Sequence, residues 1–141
     1  VEVVADSGAI YALYDRADEH HKTVGAFLQS HTPDILIPNA LLSEIGYMLA
    51  EWLGERALIE FLIDLERGAF TLVDLKIADV QLAREILAKY PRLKLGFCDA
   101  CVLAMANHLS VNRILTADQR HFRVVKNSKG KAFVLLPWDV G

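Results

Sequence analysis

Four carboxylates in this chain sit where acidic side chains can do chemistry. Asp6 follows the apolar run Val3-Val4-Ala5 and precedes Ser7-Gly8, and Asp118 follows Ile114-Leu115-Thr116-Ala117. Asp99 opens a nearly all-apolar stretch, and Glu44 lies three residues after Leu41 and four before Met48. Gathered at one place, such groups repel one another, so a protein keeps them together only where cations neutralise the cluster. A donor set made only of carboxylate oxygens selects Mg²⁺ or Mn²⁺ over zinc. Water held there ionises readily, so such a site can activate water without a protein nucleophile.

Each carboxylate also has a structural reading. Asp6 caps the turn that follows it, Asp118 is a second cap, and Asp99 complements a helix N-terminus as a cap or first-turn residue. Glu44 is a solvated residue at the border of an apolar face, or the partner of an arginine. The two sets of readings separate on whether the four meet in space.

The order of elements predicts that they do. Residues 1–5 read as a buried strand closed by Asp6-Ser7-Gly8, with a short helix over 9–14, a polar stretch over 15–20 and a helix over 21–29. Pro33-Asp34 interrupts, and Ile35-Leu36-Ile37 forms a second strand closed by Pro38. From Leu41 the apolar period becomes helical through Ile45, Met48, Leu49 and Trp52, ending near Gly54; a further helix fits 55–66. A strand over 70–73, helices over 79–89 and 99–109, and strands over 113–116 and 132–136 complete the pattern, with Asn127-Ser128-Lys129-Gly130 a turn. Strands alternating with helices imply an α/β/α three-layer sandwich on a mainly parallel sheet of about five strands, because parallel neighbours need crossovers. Ligands bind beyond the carboxyl ends of such strands, where Asp6 and Asp118 fall and where crossover helices begin.

Length and composition set the frame. With 141 residues, 53% of them apolar, one domain over 1–141 is expected, and no stretch approaches the roughly 20 apolar residues of a membrane span. Without a basic leader, the chain reads as soluble and cytoplasmic. The two cysteines, Cys98 and Cys101, are too few for a disulfide framework and lack the second ligand pair of a zinc site, so they read as core residues. The net charge of −3 does not exclude nucleic acid, since setting aside four carboxylates neutralised by metal leaves +1 for the remainder. Arg120, His121, Arg123, Lys126, Lys129 and Lys131 form a basic stretch suited either to nucleic-acid phosphates or to a solvated face. His20, His21, His31 and His108 have no matching partners and read as surface residues or caps; Trp52 and Trp138 read as packing or interface residues.

The segments Val4-Ala5-Asp6-Ser7, Leu42-Ser43-Glu44-Ile45, Phe97-Cys98-Asp99-Ala100 and the run from Ile114 through Thr116-Ala117-Asp118 to Phe122 resemble, in order, the acidic motifs of PIN domains. They are similar in particular to the VapC toxins, and no acidic position departs from the pattern. The resemblance implies a PIN-like sheet sandwiched by helices, a Mg²⁺ or Mn²⁺ site, endonuclease action on RNA, homodimers, and a small VapB-like antitoxin. On that basis Asp6 and Asp99 are metal ligands, Asp118 completes the site, and Glu44 holds a metal-bound water or accepts its proton. Ser7 and Thr116 are hydroxyls that orient the carboxylates or serve as turn hydroxyls, and Arg120, Arg123 and Lys126 contact RNA. The alternatives within the same resemblance are a nuclease of RNA processing or decay without an antitoxin, and a catalytically silent PIN or phosphate-binding scaffold.

Overall fold

The computed structural model describes residues 1–139, so the last two residues of the expected 1–141 domain lie outside it. Five strands form one sheet in the order β3-β2-β1-β4-β5, and every pair is parallel. They are β1 (Glu2–Ala5), β2 (Asp34–Pro38), β3 (Thr71–Val73), β4 (Arg113–Leu115) and β5 (Val134–Leu136). Seven α-helices occur among the described residues: α1 (Ser7–Tyr14), α2 (His21–His31), α3 (Leu42–Trp52), α4 (Glu55–Glu66), α5 (Ile77–Lys89), α6 (Phe97–His108) and α7 (Arg120–Arg123).

This strand order decides where a ligand can sit. From β1 the chain steps outward through β2 to β3, then returns across the sheet to lay β4 on the other side of β1. Right-handed crossovers taken in opposite directions put α1–α4 on one face and α5–α7 on the other. The carboxyl ends of β1 and β4 therefore form the switch point at which α/β sheets open a crevice. Ala5 pairs with Leu115 at that edge, so the next residues, Asp6 and Thr116, emerge side by side.

One continuous apolar core underlies the edge. The central strands are almost wholly buried: Val3, Val4, Ala5, Ile114 and Leu115 are fully inaccessible. Helix α6 lies against β1, β2 and β4 and is buried from Ala100 to Ala106, as its all-apolar sequence predicts for a helix covered on most sides. Small side chains at Ala100, Ala104 and Ala106 fit this crowded position. No helix of the described residues is long and apolar enough to cross a membrane.

Boundaries moved where capping decided them. Helix α1 starts at Ser7 because the Asp6 carboxylate accepts the Ala9 N–H at 2.8 Å and supplies an N-cap. Helix α6 starts at Phe97 after Gly96, which makes Asp99 a first-turn residue and not the cap. Helix α7 has no counterpart in the sequence reading, because four residues hold too little periodicity to show a helix; Phe122, buried in the core, pins it.

Candidate active site

Asp6 is the buried centre of the site. Its backbone N–H donates to the Leu115 carbonyl at 3.0 Å, continuing the β1–β4 ladder, and its Oδ1 is held by the Ala9 N–H. Its Oδ2 receives the Thr116 hydroxyl in a very short contact. Burial pushes the Asp6 carboxyl up to about 7, against the two hydrogen bonds that lower it, and the charges of Asp99 and Asp118 push in the same direction as burial.

The other three acids surround it unequally. Asp99, half-buried in the first turn of α6, is raised by desolvation and by Glu44, and lowered by His121, whose Nδ1 lies 3.2 Å from its Oδ2. Asp118 is held below the usual carboxylate range by Arg120, whose Nε and NH2 each reach a different carboxylate oxygen at 3.1 Å. Glu44 stands in the first turn of α3 and is exposed, yet its charge reaches both Asp99 and Cys98. The structure thus brings all four sequence-selected acids within electrostatic reach. It does not close them into a ready cage: no group of three or more His, Cys, Asp or Glu side chains among the described residues is arranged to hold a metal ion. Two of the acids are instead engaged by α7, Asp118 by Arg120 and Asp99 by His121.

Thr116 is the hinge of the arrangement. Fully buried, its hydroxyl contacts Asp6, accepts the Asp118 N–H at 3.0 Å and lies 3.1 Å from the Asp118 carbonyl. Its role as an orienting hydroxyl and its role in the turn are therefore the same contact set. Ser7, expected either to orient a carboxylate or to serve as a turn hydroxyl, makes neither contact here: its Oγ is buried and has no hydrogen-bond partner among the described residues.

The donor set fits a hard divalent cation. A buried carboxylate repelled by two others needs positive charge, and an orphaned buried hydroxyl next to it in sequence needs a partner such as metal-bound water. Soft ligands are absent from the competition: burial first, then Glu44, drives the Cys98 thiol up to about 12, and burial drives Cys101 up to about 11, so both stay protonated.

A model of the PIN domain family matches residues 3–127. The chain belongs to the PIN domain family. Its acids thus lie within the matched span of a PIN domain, from Asp6 to Asp118. The chain is similar to Ribonuclease VapC26 of Mycobacterium tuberculosis (strain ATCC 25618 / H37Rv), 27% identical over 135 residues that span 96% of this chain and 100% of that relative. Its fold is similar to that of VapC20 of Mycobacterium tuberculosis, a Sarcin-Ricin loop cleaving toxin, with a TM-score of 0.76, 20% identity and coverage of 84% of this chain and 92% of that one. FitAcB from Neisseria gonorrhoeae gives a TM-score of 0.70 at 16% identity, covering 98% of this chain and 99% of that one. VapBC2 from Rickettsia felis, bound to a DNA fragment from its promoter, gives 0.70 at 14% identity, covering 96% and 97%.

The remaining sequence-selected residues fall into place around this PIN domain. Arg123 is tied to Asp139 at 2.8 Å and, through a short contact, to Gln119, whereas Lys126 is exposed. Trp138 packs at the rim, its indole N–H donating to the Thr116 carbonyl at 3.1 Å and its ring edge-on to His20. Trp52 packs edge-on against Tyr11. His108 does have a partner, contrary to expectation: its Nδ1 contacts the buried Asp79 carboxylate across the α5–α6 interface. His121 was grouped with phosphate contacts, and no spacing could show its pairing with Asp99, 22 positions earlier and on another helix.

Proposed function

We propose that this PIN domain is a Mg²⁺- or Mn²⁺-dependent endoribonuclease, the toxin of a toxin–antitoxin pair, acting as a homodimer and held in check by a small VapB-like protein. The observation that carries the nuclease reading is Asp6: buried, repelled by Asp99 and Asp118, and placed at the switch point of the sheet. The similarity to a relative named as a ribonuclease supports RNA as substrate, and the likeness of fold to VapBC complexes supports an antitoxin partner.

In this reading Asp6 and Asp99 hold the cation and Asp118 completes its ligand set. When bound, Mg²⁺ or Mn²⁺ acidifies a water and offsets negative charge on the leaving oxygen. Thr116 keeps Asp6 in position, and the core packed beneath β1 and β4 fixes both strand ends. Glu44, exposed beside Asp99, takes the proton of the attacking water as its oxygen bonds to phosphorus and the bond to the leaving oxygen breaks.

The test is cleavage of a panel of fluorescent RNA and DNA strands with Mg²⁺, Mn²⁺ or EDTA, comparing wild type with Asp6→Asn and Asp99→Asn. Metal-dependent cutting of RNA that disappears in both variants is expected. A protein that binds the metals but cuts neither polymer overturns the catalytic reading.

A further inference from the structure

The charge of this chain is strongly polarised. Residues 89–98 and 119–131 hold eight of the fifteen Lys and Arg and no Asp or Glu, which leaves −11 on the rest of the chain against +8 here. The fold sets these two segments face to face. The Tyr90 hydroxyl accepts the Lys126 N–H at 3.3 Å, and Val124 closes an open groove over Tyr90, Arg92 and Leu93. A second groove continues it past Tyr90 to Lys126 and Ser128.

Both walls lead to the acids. One wall runs from Pro91 through Lys94 to Gly96 and so to Asp99; the other runs back from Val124 through α7 to Asp118. Along them Lys89, Arg92, Lys94, Lys126 and Lys129 are exposed, and none forms an ion pair among the described residues. Arg120 and Arg123, by contrast, are spent on Asp118 and Asp139. Tyr90 is the aromatic group of the groove, half-buried, with Lys89 Nζ 5.6 Å from its ring centroid.

We propose that this groove is the track for the single-stranded RNA flanking the cleaved phosphodiester, with Tyr90 as a base-stacking platform and Lys89, Arg92 and Lys126 on backbone phosphates. The proposal rests on the nuclease reading and deepens it. A polyanion cut at the acids must leave them along a surface of opposite charge, and these two basic segments run along the chain into Asp99 and Asp118. A half-buried ring set among unpaired cations matches the combination by which single strands are held without base-specific readout. An acidic protein segment would use the cations but gains nothing particular from the ring.

The experiment is fluorescence anisotropy of a labelled 20-nucleotide single-stranded RNA, in EDTA so that nothing is cut, over a series of salt concentrations. The proteins are wild type, Tyr90→Leu, Tyr90→Phe and the double variant Lys89→Ala/Arg92→Ala, with thermal unfolding to confirm folding. Loss of two phosphate contacts is expected to lower the slope of log K against log salt by about 1.4. Tyr90→Leu is expected to weaken binding about fivefold or more, as loss of one stacked base implies, while Tyr90→Phe, which keeps the ring, stays within about twofold. RNA affinity and salt slope unchanged in Tyr90→Leu and in the double variant overturn the track. So does a result in which these variants lose only the binding of a labelled oligoglutamate peptide, which would make the groove a protein-docking site. Cleavage by wild type with Mn²⁺, measured separately, tells failure of the track from failure of the nuclease reading.

Discussion

Thr116 and Asp6 stand 110 positions apart in sequence, yet the Thr116 hydroxyl meets Asp6 Oδ2 inside the protein. The contact follows from strand register, since Ala5 pairs with Leu115 and the next residue of each strand is delivered to the same spot. It joins the ends of β1 and β4 where the strand order reverses, and through the Asp118 N–H it also sets the turn that carries the third acid.

Thr116→Val keeps the shape and removes that hydroxyl. Asp6 then loses its side-chain donor and moves further above the ordinary carboxylate range, since this hydrogen bond opposes the rise caused by burial. We expect a stability loss of about 1–3 kcal/mol, as for a buried polar group left unpaired, measured by urea unfolding. Cleavage should fall roughly tenfold or more, in line with loss of a group that orients a metal ligand. Thr116→Ser should retain most of both.

Asp6 also makes stability depend on pH. Its folded value of about 7 lies above the unfolded value of about 3.9, so the folded state binds the proton more tightly. The stabilisation is fully present below about pH 4, is lost as pH rises towards 7, and levels off above that; its size is at most about 4 kcal/mol. Melting of metal-free wild type between pH 4.5 and 7.5 should therefore decline relative to Asp6→Asn, as read by circular dichroism. Adding Mn²⁺ at pH 7.5 should raise wild type well above its EDTA value and the variant much less.

The parallel sheet and the helix order were legible because strands buried on both faces are apolar runs and crossover helices carry a helical period, two signals that differ in local sequence. The position of Asp6 and Asp118 at the carboxyl edge of the sheet was legible because both follow such runs. What stayed hidden depends on side chains meeting across the fold: His121 on Asp99, Arg120 closing on Asp118, and the orphaned Ser7 hydroxyl. The short helix α7 was hidden too, because one buried Phe122 fixes it and four residues show no period.

Arg120 bears on metal binding. It is exposed and brings two nitrogens onto the Asp118 carboxylate, so under the proposed metal reading it competes for the oxygens a cation would use. In Arg120→Ala, Asp118 should return towards the ordinary carboxylate range and Mn²⁺ should bind more tightly, by no more than about fivefold because exposed ion pairs are weak. Isothermal titration of Mn²⁺ into metal-free protein reads this without relying on cleavage. An unchanged or weaker affinity would mean that Arg120 positions Asp118 for the ion and does not compete with it.

His108 offers a control in which the structural role is separated from the site. Its ring contacts Asp79, a buried carboxylate at the start of α5 whose other oxygen accepts the Lys76 N–H at 2.8 Å. Burial alone would raise Asp79, but the His108 contact and the Lys76 N–H together hold it below the usual carboxylate range. Its contribution to stability is therefore present above about pH 4 and lost as pH falls through the lowered folded value. His108→Ala leaves the carboxylate one partner fewer at the α5–α6 junction, and we expect a loss of about 1 kcal/mol at neutral pH, because the backbone bond remains. Urea unfolding at pH 7 and at pH 3 tests it. The difference between wild type and variant should shrink at the lower pH, as it approaches the lowered folded value of Asp79, and a gap of equal size at both values would assign the loss to packing of the imidazole instead.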